Sequence, residues 1–283
     1  IPTLAIQHGM IHGYHDDYIL YKTSYGAKDN ISGCPIPQKT AVYGDFTKDI
    51  LTRNSSYPPE SIIVTGQPRY DTLIKMTDIS SRIKERIYNR LKIDPKYQLL
   101  LIATGGVEKV YGQIGGQEVL IRSVLSSMSN LSNAAAIIKL HPFEKDTKAL
   151  YKNIINEMGL SQRARIVEDI NIFELIQACD LFITQNSTSS YEALIVKKPV
   201  LIINLTAEKD YIPSIEDKVA LYVHKFEEVK DAIISLLNNS ELKNTLANNR
   251  ESFIYEHCYY TDGRATQRVI DLIYNMIKER PHK

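Results

Sequence analysis

From residue 98 onward, short apolar runs alternate with longer amphipathic stretches. That alternation is the mark of βαβ units around a parallel sheet, whose buried strands read as continuous apolar runs. Residues 98–103 give the first strong strand, Thr104-Gly105-Gly106 a turn, and residues 117–128 a helix on which Val119, Leu120, Val124 and Leu125 recur at helical spacing. A second strand over 135–140 ends in His141-Pro142, and residues 147–158 read as a helix closed near Gly159. Strands are predicted again at 165–167, 181–184 and 200–203, and helices at 172–178, 187–196, 226–237 and 264–278.

The first part of the chain is less regular. Residues 3–7, 40–43 and 61–65 read as strands, with a helix over 45–53 between them. A Lys/Arg-rich stretch over 71–97 carries Ile83, Ile87 and Leu91 at spacings of four, which predicts a connecting helix and a domain boundary. The expectation is therefore two α/β units with parallel sheets. Residues 1–75 form the first and 76–283 the second, with the final helix returning to the first. The opening Ile1-Pro2-Thr3-Leu4-Ala5-Ile6 reads as an interior strand, so the first unit is expected to be the remnant of a larger domain.

Composition narrows the functional classes. At 283 residues, with 43% hydrophobic and 24% charged side chains, the balance is that of a globular protein with a sizeable core. The formal charge of +1 supplies no global field to recruit nucleic acid. Cys34, Cys179 and Cys258 are widely spaced, which indicates neither a zinc knuckle nor a disulfide framework. The longest apolar runs fall far short of the roughly 20 residues that span a bilayer. A reduced, cytoplasmic setting is expected, with association at the inner face of the membrane compatible with it.

Four features lie where strands of a parallel sheet end, the place at which such sheets bind ligands against helix N-termini. The most informative is the run Thr184-Gln185-Asn186-Ser187-Thr188-Ser189 leading to Glu192. Small hydroxyl residues let a phosphate approach the backbone, and Glu192 is placed to accept from ribose hydroxyls; the plainer alternative is that Ser187 or Ser189 only caps a helix. His141 leaves the end of a buried strand and is placed to donate to a phosphate oxygen. Gly105 and Gly106 allow backbone amides near a diphosphate, but no full dinucleotide-binding or P-loop signature is present. Finally, Gln7-His8-Gly9 closes the opening strand, with His12, His15, Asp16 and Asp17 beyond it. Gly9 and Gly13 disfavour the rigid helix that a metal site of that spacing needs, so His8 is read as a general base and the other two histidines as loop residues.

Together these motifs resemble the CDP-glycerol glycerophosphotransferase-like enzymes, which are similar in fold to GT-B glycosyltransferases. The resemblance is carried, in order, by Gln7-His8-Gly9, by Gly66-Gln67-Pro68-Arg69-Tyr70-Asp71, by Lys139-Leu140-His141-Pro142, by the Ser/Thr turn before Glu192, and by Asp262-Gly263-Arg264-Ala265. UDP-N-acetylglucosamine 2-epimerases are similar over the same C-terminal region. The resemblance implies a GT-B-like fold and a transferase that moves a sugar or polyol phosphate from a nucleotide-activated donor to a hydroxyl of a polymer or lipid-linked acceptor. In that picture His8 is the base; Gly105, Gly106, His141, Ser187, Thr188, Ser189 and Glu192 hold the donor; and Arg69, Asp71 and Arg264 are further cleft residues. No cofactor or essential metal is expected, since helix dipoles take the place of a cation, though a loosely held magnesium is compatible with the pattern. A 2-epimerase and a non-catalytic nucleotide-sugar-binding module are the alternatives.

Overall fold

The computed structural model describes residues 1–11, 37–55, 57–105, 116–129, 131–206 and 218–279. Backbone contacts divide the chain into two compact units, residues 1–75 with 252–283, and residues 76–251.

The first unit opens with β1 (Leu4–Ile6) and β2 (Lys39–Val42), followed by α1 (Asp45–Asn54), β3 (Ile62–Val64) and α2 (Pro68–Met76). Its three strands form a parallel sheet in the order β1-β2-β3, with Ala41 opposite both Ile6 and Ile63. Val42, Leu51 and Ile62 close a small core with Ile11. The turn before α1 demands glycine, because a Cβ on Gly44 would stand 2.1 Å from the main-chain oxygen of Glu256.

The second unit begins with α3 (Ser80–Leu91), which buries Ile83 and Ile87 as their spacing requires and ends on the left-handed Lys92. Then come β4 (Gln98–Ala103), α4 (Gly116–Met128), β5 (Ala134–Lys139), α5 (Lys148–Glu157), β6 (Ala164–Val167), α6 (Ile172–Ala178), β7 (Leu181–Thr184), α7 (Ser189–Ile195), β8 (Val200–Ile203) and β9 (Leu221–Val223). Helices α8 (Val229–Asn238) and α9 (Ser240–Asn248) follow. The six strands are all parallel, in the order β6-β5-β4-β7-β8-β9. Leu100, Ile102, Ile138 and Ile183 of the sheet pack with Val124 and Ile233 of α4 and α8 in one core. Residues such as these, fully removed from water, each contribute about 1.5–3 kcal/mol of hydrophobic stabilisation.

Helix α10 (Arg250–Cys258) leads back to the first unit, which ends in α11 (Ala265–Lys278). The N-terminus of α11 is held by Asp71, whose two carboxylate oxygens accept from the backbone N–H groups of Ala265 (3.0 Å) and Thr266 (2.8 Å). Beside it, Gly66 takes φ +76° with Ala265, Arg268 and the Cys258 carbonyl all 3.3 Å from where a Cβ would stand. A side chain there would be strained in its backbone and crowded at once.

Strands β1 to β8 and helices α1, α3 and α4 follow the sequence pattern closely. The helix expected over 187–196 is shorter, and that over 226–237 begins as a 3-10 turn at Phe226–Glu228. Strand β9 and helices α2, α9 and α10 were not signalled by periodicity.

Candidate functional site

In the second unit the chain runs from β4 outward through β5 to β6, then returns to the other side of β4 and runs outward from β7 to β9. The β4/β7 junction is thus the topological switch point, where the loops at the strand carboxyl ends diverge and leave a crevice. Gly105, His141, Ser187, Thr188, Ser189 and Glu192 all lie at this one edge, after β4, β5 and β7. Gly106 lies outside the described residues.

His141 is half-buried just past β5, and its backbone N–H donates to the Thr104 hydroxyl at 2.8 Å. Its Nδ1 accepts from the Phe143 N–H at 3.2 Å, which puts the ring proton of the neutral form on Nε2. Burial, and then the nearby Lys139 ammonium, hold the imidazole below its ordinary pKa, so the neutral form prevails at pH 7. The product is a donor of fixed tautomer. Lys139 is itself depressed by burial, against the pull of Asp169 and Glu168, and its Nζ donates to the Glu168 carbonyl.

After β7 the chain turns sharply into α7. The Thr184 hydroxyl donates to the Ala103 carbonyl at 2.8 Å and accepts from Ser187 N–H at 3.1 Å. The Ser187 hydroxyl accepts from Ser189 N–H at 3.3 Å in a local turn, while the N-cap position is Thr188, whose side chain makes no capping bond. Ser189 is partly exposed, Thr188 exposed, and Glu192, in the first turn, buried.

The sequence did not announce the layer beneath this turn. Gln117, Gln185 and Asn204, each buried, form an amide ladder: Gln117 Nε2 donates to Gln185 Oε1 at 3.1 Å, and Gln185 Nε2 lies 3.5 Å from Asn204 Oδ1. Asn204 Oδ1 also accepts from the N–H and hydroxyl of Thr206 at 3.2 and 2.7 Å. The ladder ties the first turn of α4 to the ends of β7 and β8. Gly116 lies against it, a Cβ there meeting Gln185 Oε1 at 3.3 Å.

The first unit holds the remaining candidates. His8 is exposed at the carboxyl end of β1, and a Cβ on the next residue, Gly9, would meet nothing within 4 Å. Its neighbour Gln7 is buried and structural: Oε1 accepts from Tyr43 N–H at 2.8 Å and Nε2 donates to the Gly9 carbonyl at 2.8 Å. Arg69 is exposed in the first turn of α2. Asp71 is buried and its carboxylate is the cap of α11, not a group presented to a ligand. Arg264 is exposed beside that cap, and the arginine that organises the turn is Arg268, which the motif reading passed over. Its guanidinium donates to both oxygens of Asp262 (3.0 and 2.9 Å) and to the Thr65 carbonyl (2.7 Å), and it lies over the Tyr259 ring. Burial raises the Asp262 pKa, but Arg268 and the Arg264 N–H outweigh it and leave the carboxyl below its ordinary value.

His12, His15, Asp16, Asp17 and Cys34 lie outside the described residues. Among the described residues no three His, Cys, Asp or Glu side chains group as a metal site, and no helix is long and apolar enough to cross a membrane.

The sequence model of the CDP-Glycerol:Poly(glycerophosphate) glycerophosphotransferase family matches residues 38–275. No curated protein sequence matches. Among solved structures, the wall teichoic acid polymerase TagF aligns over 86% of this chain with TM-score 0.63 and 18% identity. The chain spans 58% of that polymerase. The UDP-GlcNAc 2-epimerase from Neisseria meningitidis, bound to UDP-GlcNAc, aligns over 84% of this chain and 62% of its own, with TM-score 0.62 and 18% identity. A glycosyltransferase from Rickettsia africae aligns over 98% of this chain and 71% of its own, with TM-score 0.59 and 16% identity. At such identities the likeness is one of fold: α/β, with parallel sheets, as in GT-B glycosyltransferases.

Proposed function

Because the chain belongs to the CDP-glycerol:poly(glycerophosphate) glycerophosphotransferase family, we propose that it acts in the transfer of a polyol or sugar phosphate from a nucleotide-activated donor to an acceptor hydroxyl, in the assembly of a teichoic-acid-like polymer. The acceptor oxygen forms the new bond to phosphorus, the bond to the nucleoside monophosphate breaks, and a base takes the hydroxyl proton. His141 and the turn from Ser187 to Ser189 hold the donor phosphates, Glu192 faces the ribose, and His8 is the base. No metal is required in this scheme, because fixed N–H donors meet the charge that develops on the leaving group. The acceptor is a polymer or lipid-linked chain, and the setting is cytoplasmic.

The observation that carries this reading is His141: a neutral imidazole at the switch point with its ring proton assigned to Nε2 by the Phe143 N–H. Its test is a titration of the chain with CDP, CMP, UDP and GDP, followed by melting temperature, since a ligand of the native state raises stability by mass action. A cytidine nucleotide is expected to stabilise most, and His141→Ala to weaken it. With CDP-glycerol and an acceptor, His8→Ala is expected to lower turnover ~10²–10⁴-fold with donor affinity unchanged. Stabilisation by none of the nucleotides would remove the donor-site reading. Preference for UDP, with UDP-GlcNAc epimerised, would replace it with the epimerase alternative.

A further inference from the structure

We propose that Thr104 and Thr184 are positioning residues for the donor phosphates, one device used twice on adjacent strands. The proposal rests on the donor-site reading above. In the β4–β7 pairing Ala103 stands opposite Thr184, so Thr104 is one step further along the same edge. Each hydroxyl has one proton and gives it to a carbonyl of the neighbouring strand: Thr104 to Lys139 at 3.2 Å, Thr184 to Ala103 at 2.8 Å. With the proton so placed, the lone pairs are left to accept. Thr104 accepts from the N–H of His141 at 2.8 Å, and Thr184 from the N–H of Ser187 at 3.1 Å.

Those two backbone groups belong to the two residues that open the proposed phosphate contacts. Their amides are thereby committed to the scaffold, and what each residue has left to offer is its side chain. Thr104 is 3% and Thr184 0% exposed, so bulk water does not stand in for a lost hydroxyl. A valine at either position would satisfy the strand and the packing equally well, having nearly the same shape and the same β-branching. The hydroxyl is therefore the feature that packing alone does not require, and it couples the strand ends to the ligand-facing loops.

The experiment compares Thr104→Val, Thr184→Val and the corresponding Thr→Ser variants with wild type, in CDP affinity by calorimetry and in amide exchange at His141 and Ser187 by NMR. Each valine variant is expected to weaken CDP roughly two- to tenfold, the worth of one hydrogen bond, and each serine variant to restore it. Thr104→Val should also speed exchange at His141 N–H and perturb the His141 ring ¹⁵N shifts, and Thr184→Val should speed exchange at Ser187 N–H. Wild-type affinity in the valine variants, or no rescue by serine, overturns the proposal. If wild type binds no CDP, the donor-site reading fails separately, and positioning is judged on exchange and ring shifts alone, unchanged values overturning it. Should a valine variant fail to fold, cysteine, a far weaker acceptor of similar size, takes its place under the same criteria.

Discussion

His257 sits between the rings of Phe46 and Phe253, each with its centroid 4.1 Å away, and is 3% exposed. Burial pushes its pKa down to about 4, against roughly 6.5 in an unfolded chain. The folded state therefore resists a proton that the unfolded state accepts. The contribution is fully present above pH 6.5 and is lost as pH falls from there toward 4, because the unfolded chain binds more protons across that window. The shift corresponds to about 3 kcal/mol. In urea titrations at pH 7.5, 5.5 and 4.5, His257→Gln should lose less stability with acid than wild type. Parallel declines in the two proteins would show that His257 is not buried in its neutral form.

At the scale of elements, the cap on α11 shows how a motif can be visible while its role is not. Asp71 was legible as the end of a G-x-P-R-x-D run, but its partners at Ala265 and Thr266 lie 194 and 195 residues away, a distance no local pattern spans. Asp71→Ala is expected to cost about 1–2 kcal/mol through the lost cap, and Asp71→Asn less, since one oxygen remains to accept. A melting temperature unchanged in the alanine variant would count against the cap. The same distinction runs through the fold. Strands β4, β5, β7 and β8 were readable because both faces are buried and their residues are continuously apolar. Strand β9 has only three residues, and α10 buries Phe253, His257 and Cys258, a set in which a polar residue type hides the apolar face. At the site, His141 and the serine turn were readable because Pro142 and the hydroxyl run mark strand ends. The amide ladder was not, because Gln117 and Gln185 meet only once β4 and β7 are paired.

At the scale of the whole molecule, the two units differ in what they carry. The larger core cluster, from Leu100 to Leu246, lies wholly within residues 76–251, as do all six strands of the larger sheet and every proposed donor contact. In the first unit Ile11, Val42, Leu51 and Ile62 form a small cluster under three short strands, and further buried residues such as Phe253, Val269 and Met276 come from the far end of the sequence, as does the helix that Asp71 caps. Small cores of this kind bury too little apolar surface to offset chain entropy unaided, whereas a six-stranded sheet covered by helices is of ordinary domain size. Residues 76–251 expressed alone should therefore melt cooperatively and bind CDP within about threefold of the full chain, a difference of under 1 kcal/mol. Residues 1–75 alone should show no cooperative transition. A 76–251 fragment that folds but has lost CDP would mean that residues outside the sheet edge supply a share of the donor contacts, and His8, Arg69 and Arg264 would be the first to substitute.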